Sequence, residues 1–78
     1  MILNQVQATA IYSAMVALKN VDAKIKVSFG DITTTGINVF QDSENRIHVV
    51  LIHAMDLVDE EIYTDMSEFS KVYETIYK

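Results

Sequence analysis

The sequence predicts an α+β domain: an N-terminal helix, an antiparallel meander of three to four strands and a C-terminal helix, in one unit over residues 1–78. Three observations predict it. Near the N-terminus Ala8, Ile11, Ala14, Met15 and Leu18 recur at helical spacing. In the middle, the segment KIKVSF at residues 24–29 alternates with a period of two. Near the C-terminus Met66, Phe69, Val72, Tyr73 and Ile76 return to helical spacing.

The first helix is expected to start at Asn4, because Asn at the cap with Gln7 three residues on is a capping-box pattern. It should run to about Lys19, with Asn20 helping to end it. Val6, Ala10 and Ala17 widen the apolar stripe on one side, and Tyr12 and Val16 widen it on the other. Gln5, Thr9, Ser13 and Asn20 leave only a narrow polar strip. A helix apolar around most of its circumference is normally covered on more than one side. Val6, Ala10, Tyr12, Val16 and Ala17 are therefore candidates for self-association.

In the first strand Ile25, Val27 and Phe29 face one way and Lys24, Lys26 and Ser28 the other. Gly30 and Asp31 supply a turn, and the β-branched Ile32 to Thr35 favour extended backbone. Gly36 points to a bulge or a close backbone approach. Asp42, Ser43, Glu44 and Asn45 form a polar turn, so residues 35–53 read as a hairpin. The segment RIHVVLIHA, residues 46–54, is apolar on both faces, with Ile47, Val49 and Leu51 opposite Val50 and Ile52. Such a strand is usually central. If both helices cover one of its faces, the other calls for a subunit partner; a sandwich with one helix on each face would need none.

Residues 56–68, DLVDEEIYTDMSE, carry six acids and no base. An EF-hand is excluded, since the sixth and twelfth positions counted from Asp56 are Glu61 and Ser67 in place of Gly and Glu. Ile62 and Tyr63 suggest a short strand over residues 60–64, with acids that protect an edge. Asp65 with Glu68 is a second capping-box pattern for a last helix over residues 66–77, where Lys78 can pair with Glu74. Asp56, Asp59, Glu60, Glu61 and Tyr63 remain as a candidate acidic patch for a partner.

Composition narrows the function further. The chain has 78 residues, 50% of them hydrophobic, a net charge of −5 and no cysteine, so disulfides and thiolate metal sites are out. Residues 1–30 carry a net +2, and residues 54–78 carry seven acids against Lys71 and Lys78. Direct nucleic-acid binding needs a basic stripe, which this distribution does not supply. The first charge after the N-terminus is Lys19, and polar residues interrupt the early apolar run, so neither a secretory signal nor a membrane span is expected. The protein is read as soluble and cytoplasmic.

Catalysis finds little support. His48 and His53 lie five apart, on opposite faces of a regular strand. There is no nucleophile elbow, and Gly30 and Gly36 are too few for a phosphate loop. No metal and no cofactor is expected. The expectation is a non-enzymatic protein-binding module whose partner is itself, as a homodimer, or a basic protein surface. In size and charge the chain resembles small acidic inhibitors, many of them encoded by phages, that imitate nucleic acid and block a basic groove. An enzyme with its site at a subunit interface is the remaining alternative.

Overall fold

Asn4 opens the first helix as the spacing predicts. Its side chain accepts from the Gln7 N–H at 2.8 Å, and Gln7 Oε1 accepts from the Asn4 N–H at 3.0 Å. The resulting helix, α1 (Gln5–Lys19), buries Ala8, Ile11 and Met15. The computed structural model describes residues 1–75. After the Asn20 cap, Asp22 takes a left-handed φ of 56°, and the Ala23 N–H returns to the Leu18 carbonyl at 2.9 Å.

Four strands follow: β1 (Lys26–Gly30), β2 (Thr35–Gln41), β3 (Ile47–His53) and β4 (Asp56–Tyr63). They form one antiparallel sheet in the order β1-β2-β3-β4, so the meander is the observed topology and β3 is central. The second helix, α2 (Met66–Tyr73), closes the described chain.

Side chains on one face of the sheet meet both helices. Ala8, Ile11 and Met15 of α1 and Phe69 and Tyr73 of α2 pack with Val39, Ile47, Val49 and Tyr63 in one cluster, with Val27, Phe29 and Ile37 at its margin. Because successive strand residues alternate in direction, this puts the two helices on the same side. The alternative of one helix per face does not hold, and neither α1 nor α2 lies over the second face of β3.

Four local expectations change. Residues 32–34 form a turn in place of extended backbone. Asp31 is the reason: its carboxylate accepts from the Thr33 N–H and hydroxyl, both at 2.9 Å, and its carbonyl accepts from the Thr34 N–H at 3.0 Å. This local bonding outweighs β-branching. The turn lies against Gly36, where a Cβ would sit 3.0 Å from the Ile32 nitrogen; the close approach expected of that glycine is real. Second, the strand expected over residues 60–64 starts at Asp56. Ala54 and Met55, with φ of 51° and 69°, form a two-residue turn that pairs His53 with Asp56. Such a turn places φ > 0 at both central residues.

Third, the last helix ends at Tyr73, short of the expected residue 77, with Glu74 left-handed at its C-cap. The Thr75 N–H bonds the Ser70 carbonyl at 3.1 Å, and the Thr75 hydroxyl donates to Ser70 Oγ at 2.9 Å. The expected roles of Ile76 and Lys78 lie outside the described residues. Fourth, only half of the second capping box forms. Asp65 accepts from the Glu68 N–H at 2.8 Å, but the Glu68 carboxylate reaches past Asp65 to the Thr64 N–H at 2.7 Å.

Candidate protein-contact surface

The acidic stretch divides by burial. Asp56, Asp59 and Glu60 are exposed along β4, which is an edge of the sheet. Glu61 and Tyr63 pair across the sheet with Val49 and Ile47, which are core residues, so both turn toward the helices. Tyr63 is only 8% exposed, and its ring meets Phe69 edge-on at a centroid distance of 5.6 Å. It is therefore not an anchor that a partner can reach. The Glu61 carboxylate accepts from the Tyr63 hydroxyl at 2.8 Å, from the Tyr73 hydroxyl and from the Ile2 N–H at 3.1 Å. Its role is internal, and three acids of the five-residue patch remain for a partner.

The helix-free face presents a different surface. Register sets its residues in rows across the four strands. One row is Lys26, Phe40, His48 and Ile62; the next is Ser28, Asn38, Val50 and Glu60. Beyond them Ile52 pairs with Leu57, and a bulge leaves Val58 unmatched. Leu57 is 64% exposed, Val58 58% and Ile62 53%. Phe40 and Ile52 are half-buried beside them. Large apolar side chains thus form a patch on a face that neither helix shields. The turn at residues 32–34 bounds this patch where it folds over Gly36.

His48 lies flat in the patch. Its ring stacks on Phe40 at 4.6 Å with 4° between planes. Nε2 is 2.9 Å from Asp42 Oδ2, and since an ionised carboxylate only accepts, Nε2 carries the proton. Arg46 Nε donates to the same oxygen at 2.7 Å. The bond from His48, helped by Arg46, holds the Asp42 carboxyl well below its ordinary range. Nδ1 of His48 lies 3.7 Å from Glu60 Oε2. His53 is on the other face, with Nδ1 2.8 Å from Thr35 Oγ1. The two histidines are thus apart, as their spacing predicts. The His48 group fixes a flat aromatic surface edged with charge.

The self-association residues of α1 also separate. Val6, Ala10, Val16 and Ala17 are exposed, with Val6 at 78%. Tyr12 is half-buried against the core. A cleft of about 580 Å³ lies between the end of α1, the β2–β3 turn and the start of α2, with Lys19 and Lys24 sharing its rim with Asp22 and Asp65. Among the described residues no group of three or more His, Asp or Glu is placed to hold a metal, and no helix is long and apolar enough to cross a membrane.

Sequence reasoning missed Phe40, Leu57, Val58 and Ile62 as surface residues. The signal was the second apolar face of β3, Val50 and Ile52. Leu57 and Val58 were hidden by the acids around them, and the length of β4 was needed to place them. The chain matches no protein-family model, no curated protein and no solved structure.

Proposed function

We propose that the protein is a non-enzymatic protein-binding module that acts through the helix-free face of its sheet. One observation carries this reading: Leu57, Val58 and Ile62 are exposed together, beside Phe40 and Ile52, while both helices pack on the opposite face. Covering such a patch removes apolar area from water, at roughly 25 cal/mol per Å² before the losses of association. The polar residues at its borders, Lys26, Asp42, Arg46 and Glu60, suit the rim of a protein interface.

The test is the double substitution Leu57→Ser with Ile62→Ser. Both side chains are exposed, so the circular dichroism spectrum and cooperative unfolding should persist. Capture of binding partners, further copies of the chain included, should fall sharply. Unchanged capture by a folded variant overturns the reading.

A second reading draws on Asp56, Asp59 and Glu60, which line the exposed edge strand and match a basic partner. An acidic inhibitor of a nucleic-acid-handling protein would bind through them. Reversing these three to Lys, with Glu61 left in place because it is internal, should abolish salt-sensitive capture of a basic protein. Retained capture removes this reading.

A further inference from the structure

We propose that the occupant of the helix-free face is a second copy of the chain, stacked sheet on sheet about a two-fold axis that runs parallel to the strands between β2 and β3. The inference rests on the reading of this face as a contact surface and names what covers it. Its basis is the order of charges along the rows. On this face β1 carries Lys26 and β4 carries Glu60, at opposite edges of the sheet. Asp42 follows β2 and Arg46 precedes β3; both bond at the same end of the face, Asp42 accepting from His48 and from Arg46.

A two-fold axis along the strands lays β1 over the partner's β4, and β2 over the partner's β3. Lys26 then lies above the partner's Ile62, one residue pair along the strand from the partner's Glu60. That step is about 7 Å, within the span of a flexible lysine stem. Asp42 likewise lies above the partner's Arg46. By symmetry each pairing occurs twice. Between them the Phe40–His48 stack meets its own copy near the axis, with Val50 beside it.

An axis running across the strands is disfavoured by the same charges. It would set β4 on β4 and β1 on β1, turning Glu60 toward its own copy and Lys26 toward its own copy, and like charges facing each other repel. Aligned sheets of this kind pack about 10 Å apart with a crossing near −30°. The product is a four-layer particle, helices outside and two sheets inside. It covers Leu57, Val58 and Ile62, which the single chain leaves exposed, and the half-buried Ile52 of β3.

The experiment uses two charge reversals at exposed positions, Lys26→Glu and Glu60→Lys, followed by sedimentation over a wide concentration range. The wild-type chain should dimerise. Each single variant should fold, and its dissociation constant should rise by about tenfold or more, because like charges then face each other twice. An equimolar mixture of the two variants should regain wild-type association as a heterodimer, since every acid again meets a base. A mixture that stays as weak as its components overturns the arrangement. A wild-type chain that stays monomeric overturns the dimer. In that case, loss of partner capture in the Leu57→Ser, Ile62→Ser variant would leave the contact-surface reading standing, with a different protein as occupant. Dimerisation that survives both reversals but fails on Val6→Glu with Ala10→Glu would move the interface to α1 and also overturn the inference.

Discussion

Glu61 and Tyr73 join β4 to α2 through a hydrogen bond from the tyrosine hydroxyl to the carboxylate, and Tyr73 in turn accepts from the Leu3 N–H at 3.3 Å. The N-terminal segment, the edge strand and the last helix therefore share one polar knot at the margin of the core. Replacing Glu61 by Ala leaves the Tyr63 and Tyr73 hydroxyls and the Ile2 N–H without their acceptor. The expected loss is about 2–3 kcal/mol, against about 1 kcal/mol for Tyr73→Phe. Urea unfolding at neutral pH measures both.

Alkaline pH should weaken the fold through the same knot. Burial, followed by the bonds to Glu61, raises both the Tyr63 and the Tyr73 hydroxyl above the ordinary tyrosine value. A raised value in the folded state gives stability that is whole below about pH 10 and is lost as pH rises past it. The urea midpoint should fall over that range, and Tyr63→Phe with Tyr73→Phe should flatten the fall.

Acid should act at Asp42. His48 and Arg46 hold its carboxyl below the ordinary range, so its contribution is present above about pH 4 and is lost as pH falls below that value. In Asp42→Asn this part of the acid profile should vanish. Urea midpoints measured between pH 6 and pH 2, at roughly unit steps across the usual aspartate range, decide it.

Gly36→Ala should be destabilising by about 1–3 kcal/mol, since its Cβ meets the backbone of Asp31 and Ile32 and no flexible side chain can yield. Gly30→Ala should be at least as harmful: φ there is +76°, and the added Cβ would lie 2.5 Å from the Thr35 carbonyl oxygen. Thermal unfolding of the two variants tests the ranking.

The β3–β4 turn offers the opposite effect. Ala54 and Met55 both hold positive φ, where Asn-Gly is the favoured pair. Replacing them with Asn and Gly should stabilise the protein by about 1 kcal/mol, with the backbone bonds to Thr34 and Ile32 kept. No change in the urea midpoint would mean that local strain is already relieved by those two bonds.

The parts legible in the sequence were those with a strong period or a named cap. The stripe of α1, the Asn4–Gln7 box, the alternation at Val27 and Phe29 and the double-sided β3 all carry their meaning locally. The C-terminal half of the site did not. Leu57 and Val58 sit among acids, and Ala54-Met55 lacks any turn-forming residue, so nothing marked the start of β4. Tyr63 reads as a surface residue in the sequence because Glu60 and Glu61 precede it. Its burial depends on pairing with Ile47, a contact that no short window of sequence contains. Asp31 reads as part of a turn, but its capture of Thr33 and Thr34 depends on side-chain geometry that the sequence does not carry.

The meander has a consequence for the order in which the molecule assembles. Each strand bonds to its immediate neighbour in sequence, so three hairpins can zip with little loop entropy and in the order of synthesis. The bonds of Ile2 to Glu61 and Leu3 to Tyr73 span separations of 59 and 70 residues. Ile2 and Leu3 are thus made before the sheet but dock after it. A nascent chain halted before Tyr73 can pair its four strands but lacks the acceptor for the Leu3 N–H.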